Sequence, residues 1–302
     1  MRLRHLGERH IIARIRGAFG VRRSDVLIGI GDDAALVKTP GKLLLTTDIL
    51  VEDEDFRRDG HPARLLGRKA LNVNLSDIAA MGGRPLHALV GMALPGDIEE
   101  SWLRQFMAGF RAAAREAGVA LVGGDLSQAD RIMIAVTVTG EAISAVRRCG
   151  AKPGDAIYVS GTLGDAAGGF RLLEKGGHRG VVKAVRPLID AFLDPTPRLE
   201  LGSLLAQRKL ASAMIDLSDG LSVDLAHVCR ESGVGAEVEA VRIPISAALA
   251  HMARDPLAMA LDGGEDFELL FTVGSKDAVP LFDAWKRQFP RLRLSCIGKI
   301  TA

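Results

Sequence analysis

The chain has 302 residues, of which 48% are hydrophobic, 25% charged and 4% aromatic, and 39 basic against 37 acidic side chains leave a formal charge of +2. That length supports two domains, because single cores stop growing near ~250–300 residues. The balanced charge excludes the basic face of a nucleic-acid binder, one Tyr and two Trp leave no base-stacking platform, and no apolar run approaches the ~20 residues of a membrane span.

The first segment, MRLRHLGERHIIARIRGAFGVRR, is arginine-rich and amphipathic, with Leu6, Ile11, Ile12, Ile15 and Phe19 on one helical face. Glu8, a residue type that transit peptides avoid, favours a leading helix over a targeting segment. Strands are expected at Asp25–Gly29, Lys42–Thr47, Leu86–Leu94, Ala120–Gly123 and Ile132–Ala142, with helices over Pro62–Met81 and Glu99–Ala117 between them. In the second helix Trp102, Phe106, Phe110 and Ala113 recur at helical spacing, and Gly118 stands where a C-terminal cap belongs.

The turn-rich stretch RRCGAKPGD (Arg147–Asp155) then breaks the pattern and places a domain boundary near residue 148, giving domains 1–147 and 148–302. The second half opens with the strand Ala156–Ser160 and a helix from about Gly164, and strand Glu268–Val273 lies toward its end. The fold class is mixed α+β or α/β. Cys149, Cys229 and Cys296 lie far apart, form no CxxC pair and, in the absence of a secretory signal, suit a reducing cytoplasm. The segments Asn74–Gly83 and Asp216–Leu225 share a Leu-Ser-Asp core too short to signify a repeat.

The aspartates carry the chemistry. Asp32 and Asp33 follow Gly29-Ile-Gly31; Asp48 is read as ending a strand; Asp77 lies in Asn72-Val-Asn-Leu-Ser-Asp77, a polar interruption of a helical stretch. Asp125 follows Val122-Gly-Gly, and Asp216 and Asp219 flank Ser218. Any one of them suits a turn or a helix cap. As a set, they read as strands delivering carboxylates into a shared crevice. Two carboxylates ~4 Å apart repel by about 4 kcal/mol at an effective dielectric near 20, and a hard cation offsets this. Oxygen donors without thiol or imidazole clusters point to Mg²⁺, with Thr46 and Thr47 adding oxygens, and Mg²⁺ that keeps open positions points to phosphate chemistry.

The glycine-rich pieces are less specific. Gly29-x-Gly31 imitates a dinucleotide fingerprint but sets two carboxylates where a pyrophosphate would lie. Ser160–Asp165 (SGTLGD) fits an anion cradle at a helix N-terminus and a tight strand-to-helix turn equally well. No GxxxxGK[ST] sequence is present.

Taken in order, GDDAALV (Gly31–Val37), LLTTDILVED (Leu44–Asp53), GRKALNVNLSDIAAMGGRP (Gly67–Pro85), VGGD (Val122–Asp125), RCGAKPGDAIYVSGTLGDAAGG (Arg148–Gly169), DLSDGL (Asp216–Leu221) and GGEDFELLF (Gly263–Phe271) resemble the thiamine-monophosphate kinases across nearly the whole chain. The resemblance implies an N-terminal ATP- and Mg²⁺-binding domain whose sheet pairs with a second subunit into a barrel, so that the partner is a second copy. It also implies a C-terminal α/β sandwich domain covering a cleft. By position, Asp33, Thr46, Thr47, Asp48, Asp77, Asp125, Asp216 and Asp219 would bind Mg²⁺. Gly124, Asp125, Arg148 and Ser218 would contact ATP, and Asp48, Asp125 and Arg148 would serve the transfer itself. The implied reaction is ATP plus thiamine phosphate giving thiamine diphosphate and ADP by in-line transfer.

Two departures fall on the acceptor side, where Asp55 and Glu265 are the expected contacts. Asp55 replaces the family's histidine before Phe56, and the sequence ends at Ala302, ahead of a segment that in the family carries an aromatic residue. Three other readings compete: an ATP-dependent synthetase of the same superfamily, a nucleotide-binding relative with an impaired acceptor site, and a nicotinamide oxidoreductase resting on Gly29-x-Gly31.

Overall fold

The computed structural model describes residues 8–19, 23–28, 36–38, 41–176 and 183–302. Two compact units emerge, Met1–Leu75 with Arg84–Ala142, and Ser76–Gly83 with Ile143–Ala302. The second unit thus takes the end of a helix that begins in the first.

In the first unit, helix α1 (Glu8–Phe19) precedes a small antiparallel pair, β1 (Val26–Ile28) and β2 (Leu36–Val37). Strand β3 (Lys42–Val51), helix α2 (Ala63–Ala80), strand β4 (Arg84–Leu94), helix α3 (Glu100–Ala117), strand β5 (Ala120–Gln128) and strand β6 (Met133–Ala142) complete it. The sheet order is β3-β6-β4-β5, parallel only between β4 and β5. Period-two alternation sorts its residues. Ile134, Val136, Val138, Val90 and Met92 are buried, while Leu43, Leu45, Ile49, Leu89 and Met133 stand exposed, Leu45 at 67% and Ile49 at 58%. Along α3, Phe106 and Phe110 are fully buried, Trp102 stacks on Phe106, and Phe19 of α1 meets Phe110 edge-on. Gly118 at φ 69° closes α3, and Val119 N–H donates to Ala114 O, as the sequence led one to expect.

The second unit runs β7 (Ala156–Ser160), α4 (Asp165–Gly176), α5 (Arg186–Leu193), α6 (Leu199–Gln207), β8 (Ala213–Asp216), α7 (Leu221–Ser232), β9 (Gly235–Val238), α8 (Ala247–Met252), α9 (Pro256–Asp262), β10 (Leu269–Val273), α10 (Ala278–Gln288) and β11 (Leu294–Thr301). Its strands form one antiparallel sheet in the order β8-β10-β7-β11-β9. Both faces are apolar and both are covered. Ile157, Val159, Ile215 and Leu270 pack with Leu221, Leu225 and Val228 of α7. Tyr158, Met214, Phe271 and Val273 pack with α6, with α10, and with Ala79 and Ala80 at the end of α2. Helices on both sides of one sheet make this the sandwich that the family resemblance implied.

Three local expectations need correction. Asp48 is the seventh of ten residues in β3, and Asp125 the sixth of nine in β5, so neither ends a strand. Both strands continue because their ladders continue, Val51 pairing with Met133 and Leu94 with Gln128. Nor does Asn72–Asp77 interrupt α2: Asn72, Asn74 and Ser76 are buried inside an unbroken helix, where Asn74 Nδ2 donates back to Ala70 O.

Candidate active site

The first unit's candidates sit on its sheet. Register pairs Thr137 with both Thr47 and Leu89, and Asp125 with Gly91, on the face that exposes Ile49. Thr46 and Asp48 alternate with them and therefore share the opposite face. The Thr47 hydroxyl donates to Val136 O at 3.1 Å and accepts from the Thr137 hydroxyl. Gly124 abuts β4 so closely that a Cβ there would lie 2.0 Å from Val90 O. Asp33 lies outside the described residues, as do Gly29, Gly31 and Asp32.

Asp55, expected beside the acceptor, has a local duty. Its Oδ2 accepts the Val51 N–H at 2.7 Å while its own N–H donates to Val51 O, closing the turn after β3.

The second unit concentrates acid around Asp216, at the end of β8. Asp216 is 3% exposed, and Ser76 Oγ donates to its Oδ2 at 2.7 Å. Burial, reinforced by the charge of Asp77, pushes its pKa up to about 7. The two segments sharing Leu-Ser-Asp thus meet, Ser76 and Asp77 of one against Asp216 of the other. On α7, Asp224 is likewise buried and is pushed up to about 6, chiefly by that burial. Its Oδ2 accepts the N–H groups of Asp219 and Gly220, both at 3.1 Å. Sequence reasoning missed Asp224; its one signal is its place four residues after Gly220. Ser218 offers its backbone carbonyl to Glu265 N–H at 2.7 Å, and Glu265 holds φ at 59°, a left-handed conformation unusual outside glycine. Asp219 and Arg148 are exposed.

The SGTLGD segment proves to be the turn, with its anion position filled from within. Asp266 accepts the Gly164 N–H at 2.7 Å and the Ala166 N–H at 3.3 Å at the start of α4. Burial, against those two hydrogen bonds, pushes Asp266 up to about 8. Next to it, the Arg198 guanidinium grips the buried Glu268 carboxylate with two nitrogens, and Ser160 adds a third donor.

Among the described residues no three His, Cys, Asp or Glu side chains converge as a ready metal cage. A buried carboxylate beside a second one still suits Mg²⁺, which takes one or two protein carboxylates and fills its remaining positions with water and phosphate. Also among the described residues, no helix is long and apolar enough to cross a membrane.

Family models of the AIR synthase related proteins match the chain twice, the N-terminal domain over residues 31–142 and the C-terminal domain over 152–289. Thiamine-monophosphate kinase of Salmonella typhimurium is 42% identical over 273 residues, covering 88% of this chain and 82% of that one. The crystal structure of thiamine-monophosphate kinase from Stenotrophomonas maltophilia superposes with a TM-score of 0.88 at 40% identity, over 98% of this chain and 94% of that one. A solved structure of AaThiL complexed with AMPPCP and TMP superposes with a TM-score of 0.78 at 36% identity, over 99% of this chain and 92% of that one.

Proposed function

The chain belongs to the thiamine-monophosphate kinases within the AIR synthase related proteins, and we propose that its aspartates serve that family's transfer of the ATP γ-phosphoryl group to thiamine phosphate. The observation that carries the reading is Asp216. A carboxylate held near half-protonation at neutral pH by burial and by Asp77 is a group whose charge is stabilised when a cation arrives.

In this reading Asp33, Thr46, Thr47, Asp48, Asp77, Asp125, Asp216 and Asp219 would hold Mg²⁺ at more than one position, since Thr46 and Asp48 share one face of the first sheet and Thr47 and Asp125 the other, while Gly124, Asp125, Arg148 and Ser218 contact ATP. Bound Mg²⁺ neutralises phosphate charge during transfer. The protein's own task is positioning. Arg148 draws on its exposure to reach phosphate oxygens, and Glu265 holds the acceptor, whose terminal phosphate oxygen attacks the γ-phosphorus in line. The bond from that phosphorus to the β–γ bridging oxygen breaks, and ADP leaves as thiamine diphosphate forms.

The exposed apolar face of the first sheet (Leu43, Leu45, Ile49, Leu89, Met133) supports a homodimer in which that face covers its counterpart in a second copy. The three unpaired thiols suit a cytoplasmic setting.

The deciding experiment measures ATP consumption with thiamine phosphate present and absent, with the product identified by mass. Formation of thiamine diphosphate and ADP in equal amounts is expected. Mg·ATP binding without any thiamine diphosphate would assign the site to another acceptor.

A further inference from the structure

The turn Ser218–Gly220 and the segment Gly264–Glu268 form one laced unit. Leu217 N–H donates to Glu268 O, Phe267 N–H to Leu217 O, and Glu265 N–H to Ser218 O. Backbone meets backbone on both sides of the lacing. A Cβ on Gly220 (φ 112°) would lie 2.8 Å from Leu261 O, and one on Gly264 (φ 68°) 2.8 Å from Ser218 O. Neither position has room or conformational licence for a side chain.

Within this unit a single peptide group is held at both ends. The plane joining Ser218 to Asp219 is rigid and trans, so its C=O and N–H point in opposite directions. Its carbonyl accepts from Glu265 N–H at 2.7 Å, and its N–H donates to Asp224 Oδ2 at 3.1 Å. Asp224 also takes the next N–H, that of Gly220, and so fixes the orientation of two successive peptide planes. A carboxylate accepting two backbone N–H groups makes charge-assisted bonds, stronger than neutral ones. Rotation of the Ser218–Asp219 plane would break the bonds to Asp224 and to Glu265 together. Glu265 stays in its left-handed conformation only while its surroundings hold it there.

We propose that Asp224 is a positioning residue that, through the Ser218–Asp219 peptide plane, sets Glu265 on the acceptor side and Ser218 and Asp219 on the nucleotide side in one fixed relation. The inference rests on the kinase reading for the roles of those three residues. The mechanical link itself rests on the geometry alone.

The test combines kinetics with residue-resolved amide hydrogen exchange. In Asp224→Ala the KM values for thiamine phosphate and for Mg·ATP should both rise about tenfold, and exchange at Glu265 should accelerate at least tenfold in the absence of any substrate. Asp224→Asn keeps an oxygen that can accept the same two N–H groups and should hold both KM values within about threefold. A lowered Tm with both KM values and Glu265 exchange unchanged would reduce Asp224 to a cap for α7 and overturn the proposal. So would a rise in the Mg·ATP KM alone, since Glu265 would then be independent. Should Asp224→Ala not fold, wild-type exchange decides: Asp219, Gly220 and Glu265 must open at one common rate, and a Glu265 amide opening tenfold faster than Asp219 overturns the link. A wild-type protein without thiamine-phosphate turnover would refute the kinase reading and leave the exchange result standing.

Discussion

Ser76 donates its hydroxyl to Asp216 Oδ2 at 2.7 Å, tying the buried end of α2 to the end of β8. The carboxylate it holds titrates near 7 because burial, and then the charge of Asp77, disfavour its ionised form. The folded protein therefore keeps a proton that the unfolded chain, with its carboxyl at the ordinary value of 3.8, has released near neutral pH. The contribution of Asp216 to the stability of the metal-free protein is fully present below about pH 4 and is lost progressively as pH rises to about 7. The loss from this group is at most about 4 kcal/mol. Asp216→Asn should remove that slope, so that with chelator present the variant melts above wild type at pH 8 and the gap narrows to less than half at pH 5. Calorimetric scans at the two pH values check this; equal gaps at both would show that Asp216 does not carry the effect.

Asp48→Asn and Asp125→Asn test the sheet half of the site. Register places these aspartates on opposite faces of the sheet, so a shared structural defect is a poor explanation for a shared loss of activity. Each substitution should lower turnover at least ~100-fold, the scale of a lost charge-stabilising contact in a transition state. Tm should move by no more than about 3 °C. Wild-type rates in both variants would remove these carboxylates from the mechanism.

Much of this was legible in the sequence, for identifiable reasons. Strands β7 and β10 appear at nearly their read positions because runs buried on both faces are continuous apolar blocks. The α3 face was readable from aromatic spacing alone. In the sequence Asp48 and Asp125 look like strand ends because a strand that carries polar residues resembles, in one dimension, a strand that stops. Asn72–Asp77 reads as a helix break because its polar side chains are buried: Asn74 Nδ2 turns back to Ala70 O, and Ser76 reaches Asp216, a partner the sequence does not display. The occupant of the SGTLGD turn, Asp266, lies a hundred residues from Ala166, beyond any local pattern. The Leu-Ser-Asp echo, dismissed as a repeat, marks two segments that meet in space.

The Arg198–Glu268 pair makes a stability prediction. Glu268's side chain is 7% exposed, and Arg198 supplies two of its donors. Removing one partner of such a pair strands a buried charge and costs about 3–5 kcal/mol. Arg198→Met should lower the denaturant midpoint accordingly, and Arg198→Met combined with Glu268→Gln should recover much of the loss. A double variant no better than the single would mean that the guanidinium acts by packing instead.

The homodimer prediction turns on Leu45, Ile49 and their neighbours on the uncovered sheet face. Light scattering at micromolar concentration should return twice the 32.1 kDa chain mass. Leu45→Arg, placing a charge at the most exposed apolar residue of that face, should return a monomer. A monomeric wild type would leave the apolar face without the partner assigned to it.

At the proposed acceptor contact Asp55, charge can be separated from structure. Its carboxylate closes the turn after β3 by accepting the Val51 N–H, so Asp55→His removes a cap as well as the negative charge. That loss costs about 1 kcal/mol by analogy with helix caps and should appear as a lower Tm. Asp55→Asn keeps an acceptor oxygen for Val51 and removes only the negative charge. If that charge opposes the incoming phosphate, Asp55→Asn should bind thiamine phosphate about 3- to 10-fold more tightly than wild type, corresponding to about 0.6–1.4 kcal/mol. Mg·ATP affinity should stay within twofold. The gain should shrink at 0.5 M salt, where screening shortens the reach of exposed charges to within roughly 5 Å. Calorimetric titration of both ligands into the three proteins reads every term. Unchanged or weaker thiamine-phosphate binding in Asp55→Asn would show that Asp55 acts through its turn and not through its charge.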